Sequence, residues 1–151
     1  MPLELRRTDA RDQAFRSLVQ QLDADLDDRY GDQQDFYGQF NALDAIKQVV
    51  VAYREDEAIA CGAIKAFDEQ SMEVKRMYVL KSARGKGVAT KVLGDLEIWA
   101  KSLGYTHCVL QLADNQPEAL ALYEKNGYRQ TENFGQYIGD ENSICMRKAL
   151  P

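Results

Sequence analysis

Apolar positions change their spacing several times along the 151-residue chain, and each change marks an element. Leu3–Thr8 reads as a short first strand. From Asp12 to Leu26, Phe15, Leu18, Val19, Leu22 and Leu26 recur at helical spacing, and Gly31 interrupts the pattern. Asp35–Leu43 reads as a second short helix. Valine-rich Gln48–Arg54 and Ala58–Phe67 read as two strands of a hairpin joined at Glu55-Asp56-Glu57. Asp68–Gln70 turns again into a fourth strand, Ser71–Leu80. The period then becomes helical: Val88, Val92, Leu93, Leu96, Trp99, Ala100 and Leu103 form a wide apolar stripe, with Gly104 where a C-cap belongs. Thr106–Leu112 is a strand, Pro117–Lys125 a helix with Pro in its first turn, and Gly127 its stop. Tyr128–Glu132 and Ser143–Lys148 close the chain as a pair of strands. This order predicts a mixed α/β sheet with helices on its faces.

Nothing divides this pattern. No linker, repeat or low-complexity segment is present, so residues 1–151 read as one domain. Hydrophobic residues make up 45% of the chain and charged residues 28%, as in an ordinary globular protein with a full core. No apolar run is long enough to span a bilayer, and the N-terminus lacks the apolar core of a secretion signal. The three cysteines, Cys61, Cys108 and Cys145, are far apart in apolar surroundings, which points to reduced, buried thiols in a cytoplasmic protein. No pair has metal-ligand spacing and His107 is the single histidine, so no metal is expected. A net charge of −5 argues against a nucleic-acid partner.

The stretch that carries chemistry is Val79-Leu80-Lys81-Ser82-Ala83-Arg84-Gly85-Lys86-Gly87-Val88-Ala89-Thr90. A strand runs into a glycine-containing loop that opens a helix. The first turn of a helix offers amides without intrahelical partners and a partial positive charge, and glycine lets backbone approach an anion. Arg84 and Lys86 add charge. The P-loop pattern GxxxxGK[ST] is absent, and Gly85 and Gly87 are followed by Thr90 where a dinucleotide fingerprint has its third glycine. Arg84, Gly87 and Ala89 match the pattern [RQ]xxGx[GA].

That pattern is the pyrophosphate loop of the GNAT acetyltransferases, which the chain resembles from about Val49 onward. Lys75–Val79 followed by Arg84–Ala89 resembles the family's strand 4 and coenzyme loop. Ala119-Leu120-Ala121-Leu122-Tyr123-Glu124-Lys125-Asn126-Gly127-Tyr128 resembles its A-[IL]-x-L-Y-E-x-x-G-[FY] signature. The resemblance implies a mostly antiparallel sheet that splays between strands 4 and 5, with helices on both faces. It also implies an acetyl-CoA co-substrate. Its pantetheine arm lies along Met77-Tyr78-Val79, and its diphosphate meets the amides of Arg84, Gly85, Lys86, Gly87, Val88, Ala89 and Thr90.

Acetyl transfer to an amine needs a base, because an alkylammonium is protonated at neutral pH, and an acid for the departing thiolate. Resemblance suggests Glu73, eleven residues before Arg84, as the base, acting through water. It also reads as an ordinary exposed or salt-bridged strand residue. Strand alternation puts Glu73, Lys75, Met77 and Val79 on one face if no bulge intervenes. Tyr123 matches the tyrosine that protonates the sulfur; packing on the sheet is its other reading. The family often has Asn seven residues before that tyrosine. Here Gln116 holds the place with Asn115 one earlier, and either amide could hold the pantetheine. His107 reads as a satisfied strand-end histidine or a proton relay, Trp99 as core, and Lys125 as a solvated or phosphate-contacting lysine.

The acceptor is read from the variable N-terminal third and the last strands. Asp23, Asp25, Asp27, Asp28, Asp32 and Asp35 suit either a cationic acceptor or a solvated face. Tyr30, Phe36, Tyr37 and Phe40 could line a pocket or cover the sheet. Asn133–Tyr137 suits an acceptor wall or a homodimer contact. The resulting expectation is an N-acetyltransferase moving acetyl from acetyl-CoA to a primary amine of a small molecule, such as an amino acid or polyamine, by direct attack in a ternary complex. Acetylation of a protein N-terminus or lysine, and a non-catalytic acyl-CoA-binding module, are the alternatives.

Overall fold

The computed structural model describes residues 2–30 and 46–151, and the side chains of 26–30 lie outside the description. Seven strands are present among the described residues: β1 (Glu4–Thr8), β2 (Gln48–Arg54), β3 (Glu57–Ala66), β4 (Ser71–Val79), β5 (His107–Ala113), β6 (Arg129–Thr131) and β7 (Ser143–Ala149). They form one sheet in the order β1-β2-β3-β4-β5-β7-β6. Three α-helices accompany them: α1 (Gln13–Tyr30), α2 (Val88–Ser102) and α3 (Pro117–Lys125). The pair β4/β5 is parallel, and α2 supplies the crossover that parallel neighbours require. Its ladder covers Ser71↔His107 to Glu73↔Val109, although β4 runs on to Val79 and β5 to Ala113. The expected second helix at Asp35–Leu43 lies outside the described residues. No described helix is long and apolar enough to cross a membrane.

The chain resolves into two compact units. The first comprises Met1–Lys65 and Val74–Leu96. In it Asp12 caps α1: its Oδ1 accepts the Phe15 N–H at 2.9 Å and its carbonyl accepts the Arg16 N–H at 3.0 Å. The helix then buries Phe15, Leu18 and Val19 against Val49, Val51, Cys61, Ala63 and Tyr78. On β3 the neighbour Gly62 faces the other way. A Cβ there would lie 2.4 Å from Met77 Sδ, 2.9 Å from Leu96 and 3.0 Å from Val92 of α2, so a larger residue would press on Met77 and α2. By strand alternation α1 and α2 therefore cover opposite faces of β3. The β2–β3 hairpin closes through Glu55 (φ 54°) and Asp56 (φ 64°), the two left-handed residues of a tight two-residue turn.

The second unit comprises Ala66–Glu73 and Glu97–Pro151. Here β5 pairs with β7 and β7 with the short β6, all antiparallel. Leu110, Leu112, Cys145, Met146, Tyr123 and Tyr128 are buried in it. Glu97 accepts a hydrogen bond from Tyr128 OH at 2.9 Å and pairs with Lys148 Nζ at 2.8 Å. Both ions are less than a quarter exposed, so each depends on the other. Glu97→Ala leaves the ammonium and the phenol without this acceptor and is expected to destabilise folding by about 2–4 kcal/mol, read by urea denaturation.

The three cysteines are free and buried, as expected from their apolar surroundings, and burial pushes the Cys61 and Cys108 thiols up to about 12. The stripe on α2 is less complete than its spacing suggests: Trp99 is only half-buried and Leu103 is exposed. The stripe outlasts the helix, which ends at Ser102.

Candidate active site

The glycine loop begins where β4 ends at Val79. One 3-10 turn, Lys81–Ala83, leads into extended Arg84, then Gly85 at φ 78° and Gly87 at φ 79°. Side chains other than glycine rarely adopt these angles. The Gly87 carbonyl accepts the Lys91 N–H at 3.2 Å, the first bond of α2, so Gly87 is the N-cap. Helix geometry leaves the amides of Val88 and Ala89 without an intrahelical acceptor, and the first turn carries no acidic side chain. A Cβ on Gly85 or Gly87 would meet nothing within 4 Å. The space in front of these amides can admit an anion, and the helix dipole favours one. Lys86 is exposed beside it. Arg84 is engaged elsewhere: its Nε donates to the Val79 carbonyl at 2.8 Å, its Nη2 lies 3.4 Å from Asp25, and its guanidinium sits 5.5 Å from the Tyr78 ring centre. Its backbone, rather than its side chain, is what the loop presents.

Alternation along β4 does not run through. Arg76 has φ 59°, a left-handed residue inside a strand, as at a bulge, so the shared face expected for Glu73, Lys75, Met77 and Val79 is interrupted. The Arg76 carbonyl accepts from the Cys61 thiol at 3.3 Å and its guanidinium pairs with Asp23 at 2.7 Å. Beyond it Met77 lies against Gly62 on the α2 side while Tyr78 packs with α1.

Glu73 is buried, contrary to the exposed reading, with Tyr137 OH donating to its Oε2 at 3.2 Å. Tyr123 is buried on α3 in edge contact with Tyr128, ring centres 5.7 Å apart. Burial pushes its phenol up, so it keeps its proton at neutral pH. Gln116 is the N-cap residue of α3, half-buried, with Oε1 3.4 Å from the Ala113 N–H; Asn115 is exposed. His107 Nδ1 lies 2.8 Å from Thr106 Oγ1, a local contact that matches the strand-end reading. Lys125 is exposed.

The family model described as "Acetyltransferase (GNAT) domain" matches residues 45–130, a span that holds the glycine loop, Glu73 and Tyr123. The chain belongs to the GNAT acetyltransferase family. This GNAT protein is 32% identical over 139 residues to the IAA acetyltransferase of Azospirillum brasilense, covering 91% of each chain. Its fold matches a Klebsiella pneumoniae structure described as an acyl-CoA N-acyltransferase, with a TM-score of 0.83 and 27% identity over 99% of this chain and 98% of that one. A GNAT acetyltransferase from Elizabethkingia anophelis, solved with acetyl-CoA bound, shares the fold with a TM-score of 0.71 at 19% identity, covering 98% of each chain. The protein is thus an acetyl-CoA-dependent acyltransferase, with the mixed, mostly antiparallel sheet that its motifs imply.

Two features escaped the sequence. Asp23 and Asp25 suited either a cationic acceptor or a solvated face, yet both pair with arginines of the GNAT core, Arg76 and Arg84. Asp32, Asp35, Phe36, Tyr37 and Phe40 lie outside the described residues, and so do the side chains of Asp27, Asp28 and Tyr30. Tyr137 was legible only within Asn133–Tyr137, as part of an acceptor wall or a homodimer contact. Its bond to Glu73 spans 64 positions, and no local spacing encodes such a contact.

Proposed function

We propose that the enzyme transfers acetyl from acetyl-CoA to a primary amine of a small molecule, by direct attack within a ternary complex. The observation that carries this reading is the pair of left-handed glycines, Gly85 and Gly87, opening uncrowded space before the first turn of α2. In this reading the Gly85–Thr90 backbone holds the diphosphate, and the backbone of Met77–Val79 pairs with the pantetheine arm. The Gln116 amide helps to orient that arm. Glu73 takes a proton from the acceptor ammonium through water. The neutral nitrogen then bonds to the thioester carbonyl carbon as the C–S bond breaks, and Tyr123 gives its proton to the departing sulfur. The second proton leaves the new amide nitrogen for solvent, and the phenol is reprotonated. Burial of Glu73 and Tyr123 suits these roles, because proton transfer is steered best where water is scarce.

The test is release of free thiol from acetyl-CoA across a panel of amino acids, polyamines and peptides with free N-termini or lysines. Turnover with at least one small primary amine, absent without acceptor, is the expected result. Turnover with peptides alone would move the assignment to protein acetylation. Tight coenzyme binding without thiol release on the whole panel would make the protein a binding module.

A further inference from the structure

We infer that Tyr128 is the positioning residue of the candidate acid Tyr123, an inference that rests on the role given to Tyr123 above. The end of α3 folds one tyrosine back upon the other. Asn126 caps the helix, and Gly127 follows at φ 94°, a left-handed angle that suits glycine. The Gly127 N–H donates to the Glu124 carbonyl at 3.1 Å, and the Tyr128 N–H to the Tyr123 carbonyl at 3.0 Å. This pair of bonds is the Schellman arrangement, which sets the second residue past the cap against the third residue before it. Here both are buried tyrosines, and their rings meet edge to face, centres 5.7 Å apart and planes at 69°.

Tyr128 is itself held. Its hydroxyl donates to Glu97 Oε2 at 2.9 Å, and Glu97 Oε1 pairs with Lys148 Nζ at 2.8 Å. The Lys148 stem runs beside the turn, so that a Cβ on Gly127 would touch its Cε at 3.4 Å. Side chains from α2 and β7 thus pin a ring whose backbone belongs to the end of α3. Burial, with Cys108 and Glu97 as lesser causes, pushes the Tyr128 phenol up, so it stays a neutral donor to Glu97. Its hydroxyl is engaged there, and what it offers Tyr123 is its ring. A ring anchored at its far end limits the tilt of the ring it touches. A general acid must keep its proton in line with the atom that receives it, so that limit bears on rate.

The experiment is a double-mutant cycle on the rate of acetyl transfer. Single-turnover release of thiol from acetyl-CoA is followed in the full-length protein with the amine that the panel above identifies. Tyr128→Leu removes the ring, and Tyr128→Phe removes only its hydroxyl. Alone, they are expected to lower the rate about tenfold and about threefold, with Kd for acetyl-CoA unchanged. In the Tyr123→Phe background both losses should shrink to under about twofold, because a ring without a hydroxyl has no proton to misdirect. Equal losses in the two backgrounds overturn the inference and leave Tyr128 a packing residue. A lower melting temperature as the only effect of both variants overturns it too. If Tyr128→Leu does not fold, the Tyr128→Phe cycle decides by the same rule. The acid is read separately: a wild-type rate in Tyr123→Phe, or no turnover with any amine, removes that role and the inference with it. A slow Tyr123→Phe with equal losses in both backgrounds removes only the positioning role.

Discussion

Gly87→Asp is expected to fold and to lose acetyl-CoA binding by about a hundredfold or more, which corresponds to about 2.7 kcal/mol. Folding survives because a Cβ at this position meets nothing within 4 Å, and because Asp is among the residues that tolerate a left-handed backbone such as φ 79°. Gly87 is also the N-cap of α2, where an aspartate accepts hydrogen bonds from first-turn amides. The substitution therefore supplies an internal anion to the amides of the proposed diphosphate site, and would repel a diphosphate there by charge. Titration calorimetry with acetyl-CoA reads the loss, and a thermal melt within a few degrees of wild type shows the fold intact. Gly87→Asn, with the same bulk and no charge, should retain more of the affinity; the gap between the two isolates the electrostatic part. An unchanged Kd in Gly87→Asp would take the diphosphate away from this loop.

Tyr123→Phe is expected to lower kcat by about 10²–10³ while KM for acetyl-CoA stays within about twofold. The ring keeps its edge contact with Tyr128, so packing changes little. What is lost is a proton that burial holds on the phenol at neutral pH and that, in the proposed mechanism, goes to the leaving sulfur. Steady-state kinetics at saturating acceptor separates the outcomes. A raised KM with normal kcat would mean that Tyr123 only contacts the coenzyme, and wild-type values for both would return it to the core.

What could be read from residues alone was whatever local chemistry dictates. The period of apolar positions located α2, α3 and the β2–β3 hairpin, because burying one face of a helix or strand imposes its own repeat. The loop from Arg84 to Ala89 was legible as a candidate anion site, because a strand runs through glycines into a helix start and Arg84, Gly87 and Ala89 match the family's loop pattern. Tyr123 was recognisable within its signature. Other features depended on chain segments far apart. Arg76 takes a left-handed angle that no local residue demands, and it interrupts the alternation that would have set the faces of β4. Asp23 and Asp25 read as part of a patch for cations or of a solvated face, and α1 instead places them beside Arg76 and Arg84. Glu73 read either as a base or as an exposed or salt-bridged strand residue; in the fold it is buried, and the β6–β7 loop brings Tyr137 against it. Backbone propensity and apolar period act over a few residues and are written in order along the chain. The state of a carboxylate depends on its neighbours in space, and those exist only once the sheet has assembled.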